Sequence, residues 1–252
     1  MVIKNETDLQ GLMRIGQICG HALQYMLSKV EPGITTAELD RLGAAYLQKH
    51  SAQSAPITAY DFPGYTCISV NEAIAHGVPD SRVIQAGDIV NIDVSAVLEG
   101  YWGDTGASMI VPPVNPVYQK LCDSTRKAMN AGIAQAKAGQ PLHSIGRAIE
   151  KVAKKDKYRV IRSLAGHGVG RSIHENPTIF NYYTRRNRQK MQDGMVFTIE
   201  PFFNTGKGMV YTDSNDKWTL KTTDHTMSAQ YEHTVIVNGN DPILVTKVDG
   251  SH

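Results

Sequence analysis

The sequence is poor in cysteine: only Cys19, Cys67 and Cys122 occur among its 252 residues. No two of them form a Cys-x-x-Cys pair, which excludes a zinc knuckle, and an odd number of thiols fits a reducing compartment. The first ten residues also lack the apolar segment of a secretory signal. We therefore expect a cytoplasmic protein.

Long apolar runs and a large net charge are absent as well. No apolar stretch approaches the roughly 20 residues that span a bilayer, so we expect no membrane partner. The formal net charge of +2 is too small to indicate a specific nucleic-acid partner. The basic run from Arg185 to Lys190 is interpreted as a solvated loop, with an RNA contact as the alternative. The glycines of GHGVG do not form a phosphate loop, because no Gly-Lys-Ser/Thr sequence follows them.

The first half of the chain predicts two helices followed by a strand hairpin. Thr7 and Asp8 are expected to start the first helix, and the capping box of Thr35 and Glu38 starts a second one that runs to about His50. The segment SAPITAYDFPGYT is predicted as a loop before the short strand CISV.

The segment GDIVNIDVSAV, which starts at Gly87, alternates apolar and polar residues. A period of two predicts a strand with one apolar face and one face that carries Asp93. A turn at Glu99 and Gly100 leads to a return strand with Asp104. A hairpin of this length brings the two carboxylates close enough to share a metal ion.

The second half of the chain repeats this order. Gly194 follows Gly87 by 107 positions, and Glu200 follows Asp93 by the same distance. We interpret this as a pseudo-twofold repeat of two helix-helix-antiparallel-strand units around a central curved sheet, with coincidence as the alternative. The predicted class is α/β (α+β), with a single domain over 1–252 and repeats of about 5–110 and 115–240. The remaining predicted elements are helices over 116–137 and 144–155, strands over 160–168, 194–201, 218–222 and 229–237, and a polar loop after GHGVGRSIHENP.

Carboxylates and one imidazole on these strands are the candidate metal ligands. Each has another interpretation as a strand-end, turn or surface residue, but several acids directed to one place would repel each other without a cation. Such a donor set suits Mn, Fe, Co or Zn better than a single structural zinc. It would hold two ions roughly 3.5–4 Å apart. The candidates are Asp93, Asp104, His167, Glu200 and Glu232.

Five motifs in the same order resemble the type I methionine aminopeptidases: NIDV, GDT, GHGVGRSIHENP, FTIEP and SAQYEHT. The resemblance covers residues 5–238. It implies the pita-bread fold and metal-dependent removal of the N-terminal methionine from nascent proteins and peptides with a small second residue. It also implies attack of a metal-bound hydroxide on the first peptide bond.

The same resemblance implies a role for each site residue. Asp93 and Asp104 would hold one ion, and His167 and Glu200 the other, with Asp93 and Glu232 among the shared carboxylates. Glu200 would also be the general base. His76 would lie near the scissile nitrogen, and His174 would contact the substrate carbonyl. The methionine pocket would contain Phe62, Cys67 and Trp218, although Cys67 has plain core packing as its alternative.

Several features refine or limit this resemblance. Only 31 residues separate Glu200 from Glu232, which indicates the short bacterial-type form, and Ile173 replaces a common aromatic of the pocket wall. The expected partners are a peptide or nascent-chain N-terminus and, transiently, the ribosome, and the expected state is a monomer. The sequence leaves open the metal, its occupancy and the origin of residues 249–252.

Three other functions compete with this one. An X-Pro aminopeptidase or dipeptidase shares the fold and ligand types, but such chains usually carry a large N-terminal domain. A non-enzymatic pita-bread protein that binds ribosomes, RNA or histones would typically have lost ligands, as would a metal-free creatinase-like enzyme. All five ligand candidates are present in this sequence.

Overall fold

The computed structural model describes residues 1–248. Residues 249–252, whose origin the sequence leaves open, lie outside the described residues. No helix in residues 1–248 combines the length and the apolar character that crossing a membrane requires. The helices are α1 (Glu6–Leu27), α2 (Thr36–Lys49), α3 (Ala55–Tyr60), α4 (Pro116–Ile133) and α5 (His143–Asp156).

The ends of the first two helices follow from local side-chain hydrogen bonds. Asn5 caps α1 by accepting a bond from the Asp8 backbone N–H at 2.9 Å. The prediction that Thr7 starts this helix is therefore wrong, since Thr7 lies inside it. The capping box of α2 is confirmed: the Thr35 hydroxyl accepts from the Glu38 backbone N–H, and the Glu38 carboxylate accepts from the Thr35 backbone N–H.

The strands form one large antiparallel sheet and one small sheet. The main path of the large sheet has the order β1-β4-β5-β13-β9-β7-β8, and the small sheet has the order β11-β12-β3. The strands are β1 (Gln53–Ser54), β2 (Cys67–Val70), β3 (Ala73–Ala75), β4 (Ile89–Leu98), β5 (Tyr101–Ile110), β6 (Arg159–Val160), β7 (Ala165–Gly168), β8 (Glu175–Phe180), β9 (Val196–Ile199), β10 (Phe202–Asn204), β11 (Val210–Thr212), β12 (Leu220–Thr222), β13 (Ser228–Ile236) and β14 (Ile243–Leu244).

The two faces of the large sheet have opposite chemistry, as the period of two in β4 predicts. Val90, Ile92 and Val94 are fully buried, and each contributes about 1.5–3 kcal/mol to folding. Helix α1 packs on β4 and β5, and α4 packs on β13. The alternate residues of β4, including Asp93, point to the other face, where polar side chains from several strands meet.

Some elements differ from the predicted ones. Helix α3 occupies part of the segment predicted as a loop, because the Ser54 hydroxyl caps it and Pro56 stands in its first turn. Strand β8 takes in the last three residues of the histidine segment and the first three of the predicted polar loop, since it pairs there with β7 and satisfies its backbone. The predicted strand 160–168 is split into β6 and β7, and α4 ends at Ile133 rather than Lys137.

The order of elements in the two halves is compatible with a repeat. In the centre of the sheet, β5 from the first half pairs with β13 from the second. The acidic strands of the two halves are therefore neighbours. The pseudo-twofold relation itself, and the single domain over 1–252, stay predictions.

Candidate active site

Three adjacent strands bring two carboxylates into one row across the sheet. Asp93 on β4 lies opposite Gly106 on β5, and Gly106 lies opposite Glu232 on β13. Asp104 stands two positions before Gly106 on the same strand, so its side chain emerges on the same face. The predicted proximity of Asp93 and Asp104 is thus confirmed, and Glu232 joins them from a strand more than 100 residues away.

Because Gly106 has no side chain, it leaves room for the hydrogen bonds that orient Glu232. A Cβ atom at this position would lie 2.5 Å from Oε1 of Gln230. The Gln230 amide nitrogen donates to Glu232 Oε2 at 2.8 Å, while Gln230 Oε1 accepts from the Asn91 side chain at 2.8 Å. A side chain at position 106 would displace this chain of hydrogen bonds and with it the carboxylate.

His167 and Glu200 close the cluster from the neighbouring strands β7 and β9. His167 Nε2 lies 3.3 Å from Glu200 Oε1 and 3.7 Å from Asp104 Oδ2. The Thr198 hydroxyl donates to Glu200 Oε1 at 2.8 Å and accepts from the His167 backbone N–H at 3.1 Å. Thr198 therefore fixes the carboxylate relative to the imidazole.

The donor set fits a divalent metal. One ligand atom from each of Asp104, His167 and Glu232 lies within 4.8 Å of the other two. Asp104 Oδ1 and Glu232 Oε1 are buried and have no hydrogen-bond partner within residues 1–248. Buried acceptors without a donor are costly unless they are directed at a cation. Carboxylates with a neutral imidazole are the ligands that Mn, Fe, Co or Zn accept.

Electrostatics lead to the same conclusion. Burial raises the pKa of Asp93 to about 6. Burial, and then the charges of neighbouring carboxylates, hold the pKa values of Asp104, Glu200 and Glu232 well above their ordinary ranges. Four ionised groups cannot coexist here at low cost without a compensating positive charge. Burial lowers the pKa of His167 to about 3, which keeps this imidazole in the neutral form that binds metal.

Two further histidines stand beside the cluster. The ring of His174, just before β8, lies 4.1 Å from the His167 ring between centroids. His76, just after β3, has a left-handed backbone with φ of 53°. Residues other than glycine seldom adopt this backbone conformation, and those that do are concentrated at functional sites. Burial lowers the pKa values of both histidines.

The cavity also has apolar lining residues. Phe62 and Trp218 contact each other edge to face, with ring centroids 5.3 Å apart. Cys67 on β2 pairs with Asp93 on β4 and is 8% exposed, so it belongs both to the core and to the cavity wall. The cavity has a volume of about 440 Å³, and every predicted site residue lines it: Phe62, Cys67, His76, Asp93, Asp104, His167, His174, Glu200, Trp218 and Glu232.

Further residues line the cavity besides the predicted site residues. Ile173, which the resemblance places in the pocket wall, is one of them and Tyr60 is another, whereas Tyr65 lies in a separate surface groove. Leu164 and Phe202, to which the motifs assign no role, line the cavity as well. They lie close in sequence to His167 and Glu200, and this proximity is the one signal by which they could have been found.

Comparison with known proteins agrees with this geometry. The model of metallopeptidase family M24 matches residues 10–239. The chain belongs to this family. Methionine aminopeptidase 2 of Bacillus subtilis (strain 168) is 44% identical over 250 residues, which cover 98% of this chain and 100% of that protein. Methionine aminopeptidase of Escherichia coli (strain K12) is 37% identical over 97% of this chain and 93% of its own length.

Solved structures identify the fold of this M24 protein. Methionine aminopeptidase from Rickettsia prowazekii has a TM-score of 0.94 at 35% identity, covering 98% of this chain and 100% of that one. Prolidase from Pyrococcus furiosus has a TM-score of 0.79 at 22% identity, covering 98% and 66%, and shows the fold alone. The mixed α/β architecture is the pita-bread fold, which confirms the predicted fold class.

Proposed function

We propose that this M24 metallopeptidase removes the N-terminal methionine from nascent proteins and peptides with a small second residue. The observation that carries the proposal is a single cavity that is lined both by the acid–histidine cluster and by Phe62, Cys67 and Trp218. An apolar pocket with a soft sulfur atom suits a thioether side chain. The full-length relatives named methionine aminopeptidase support the same substrate.

The proposed cofactor is two divalent ions, of Mn, Co, Fe or Zn. A bound divalent ion lowers the pKa of a water molecule and polarises a carbonyl group. Asp104, His167 and Glu232 are the best-supported ligands, because their donor atoms already lie together. Asp93 and Glu200 are proposed as the remaining ligands, because they lie beside these three residues and belong to the same sequence motifs.

In the proposed mechanism each protein group has one task. Glu200 accepts the proton of the attacking water, and its raised pKa brings it closer to the working pH of a general base. His174 donates a hydrogen bond to the carbonyl oxygen, where negative charge develops only after attack. His76 holds the scissile nitrogen by a hydrogen bond, and Glu200 passes the proton that it took from water to this nitrogen, which then leaves as the amine. The closed apolar wall places the first peptide bond between these groups.

The finer classification is also part of the proposal. The short segment between Glu200 and Glu232 supports the type I, bacterial-type form. We further propose one catalytic domain over 1–252 that acts as a monomer in the cytoplasm, where new chains emerge. The first three amino acids of the substrate would fill the cavity, with no part for a second copy of the chain.

Metal-dependent methionine release is the direct test. Chelator-treated protein should release no methionine from Met-Ala-Ser, and activity should return when Mn, Co, Fe or Zn is added singly, measured as free methionine. Ala-Pro-Ser is the parallel control for the X-Pro peptidases that share the fold. Cleavage of the proline peptide alone would replace this proposal with that activity, and metal binding without any cleavage would favour a binding protein.

A basic segment near the cavity supports the proposed transient ribosome contact. Thirteen of the 26 Lys and Arg residues, but three of the 24 Asp and Glu residues, fall between 137 and 190. Within it, Arg147 and Arg162 lie over the rings of Tyr183 and Tyr182. Arg162 immediately precedes Ser163, which lines the cavity. Exposed cations suit phosphate groups without reading any base sequence.

Charge reversal in this segment should weaken ribosome binding several-fold. The variant replaces the three exposed residues Arg185, Arg186 and Arg188 with Glu. In the wild type, contacts of these arginines with RNA phosphates would release counterions and so favour binding. Co-sedimentation with ribosomes at rising salt measures the effect, and tripeptide cleavage should stay unchanged. The matched control reverses the exposed Arg41, Lys49 and Lys120. Equal losses in both variants would mean that net charge alone acts, and no loss in either would remove the contact from the proposal.

A further inference from the structure

Helix α3 brings a tyrosine to His174. The Tyr60 hydroxyl is hydrogen-bonded to His174 Nδ1, and the two ring centroids are 5.5 Å apart. Both side chains line the cavity. The His174 ring also lies beside that of His167, at 4.1 Å between centroids. His174 therefore contacts both a phenol and a proposed metal ligand.

The backbone of Tyr60 is held at both ends of its short helix. Ser54 caps the start of α3, and the Ser54 hydroxyl also donates to the Tyr65 carbonyl at 2.8 Å. The helix ends in a left-handed residue, Asp61, whose N–H donates to the Ile57 carbonyl at 3.1 Å. Position 60 is thus fixed in space even though its side chain is 45% exposed.

The chemistry of the two groups determines the direction of the hydrogen bond. A phenol O–H is a better donor than the N–H of a neutral imidazole, and the unprotonated imidazole nitrogen is a better acceptor than a phenol oxygen. The proton on one ring nitrogen is set by the bond that the other nitrogen makes. With Tyr60 donating to Nδ1, the His174 proton resides on Nε2.

We propose that Tyr60 is a positioning residue that holds His174 in the Nε2-protonated tautomer, with its Nε2–H free to donate to the substrate carbonyl oxygen. The inference rests on the proposed function, in which His174 stabilises the oxyanion. The bond from Tyr60 explains why Nε2 of His174 carries a proton and can donate a hydrogen bond. The opposite tautomer would present a lone pair to the developing negative charge and would repel it.

The first test compares Tyr60→Phe with Tyr65→Phe. Tyr65 belongs to the same segment, but its exposed side chain lies outside the cavity. Tyr60→Phe should lower kcat for Met-Ala-Ser about three- to tenfold, the range of one hydrogen bond, with little change in KM. Tyr65→Phe should change neither constant. A rise in KM alone would make Tyr60 a substrate contact, and equal effects of both variants would indicate loss of loop structure; either result overturns the proposal.

The second test observes the tautomer directly. The protein is labelled with 15N-histidine and loaded with diamagnetic zinc, and the His174 signals are assigned by their absence in His174→Ala. The wild type should show a proton on Nε2 and a bare Nδ1, and Tyr60→Phe should show a mixture of tautomers. An Nδ1-protonated ring in the wild type, or an unchanged ring in the variant, would overturn the proposal.

A double mutant separates positioning from other roles. In the His174→Ala background, Tyr60→Phe should have almost no further effect on kcat, because its partner is gone. A full additional loss there would mean that Tyr60 acts independently of His174, which overturns the inference. Failure of the proposed function looks different: wild-type protein would release no methionine, while the tautomer experiment would still give its result.

Discussion

Replacement of Glu200 by Gln is expected to lower kcat for methionine release by a factor of about 10²–10⁴, the range of a lost general base. The amide has the shape of the carboxylate but cannot take a proton from water. Glu200 is 8% exposed, and its Oε1 lies 3.3 Å from His167 Nε2.

The same substitution should stabilise the protein when metal is removed. Burial and the charges of Asp104 and Asp93 hold the pKa of Glu200 well above its ordinary value. The native state then binds the proton more tightly than the unfolded chain does. Ionisation of Glu200 therefore costs stability, from the unfolded-state pKa upward, and the cost is complete above the folded-state pKa. Glu200→Gln removes it, so we expect a higher Tm for the metal-free variant at neutral pH.

Added metal should reverse that order. An ion that binds the native state raises Tm by an amount that grows with the logarithm of its affinity, and the variant has lost one proposed metal ligand. Thermal unfolding with and without Mn measures both effects. Glu150→Gln, a half-buried residue of α5 that is paired with Lys154 and Arg162, is the matched control and should change neither turnover nor the metal response. A Glu200→Gln enzyme within tenfold of wild-type kcat would refute the assignment.

His174→Ala should lower kcat by about 10²–10³, the range for loss of one oxyanion donor. Metal affinity should change little, because the clustered donor atoms belong to Asp104, His167 and Glu232. Stopped assays with Met-Ala-Ser give kcat, and calorimetric titration with Mn gives the affinity. The split between the two quantities distinguishes a substrate-directed histidine from a ligand.

His21→Ala is the control for this variant, since His21 is exposed on α1. It should retain wild-type turnover and metal binding. If His174→Ala also retained turnover, the carbonyl oxygen would have to be stabilised by another group. If it lost metal binding to the same degree as turnover, His174 would act as a ligand or as a support of His167.

The site residues that carry motifs were predictable because their local pattern is distinctive. Alternation in β4 placed Asp93 on the polar face, and the capping box of Thr35 and Glu38 marked the start of α2. The glycine-flanked segment that contains His167 and His174 predicted two of the cavity residues. The start of α1 at Asn5, in contrast, was missed, because two adjacent polar residues offered equally good capping groups.

Local pattern alone determines most helices and strands, though not α3 or β8. It also determines the polar face of the sheet and the identities of the proposed ligands, because these depend on neighbours a few residues apart. Contacts between residues that are distant in sequence could be identified only in the folded structure. The row of Asp93, Gly106 and Glu232 depends on the register of three strands. The bond from Tyr60 to His174 joins residues 114 positions apart. No short-range signal encodes such distances, since register and packing are set only when the two halves of the sheet meet.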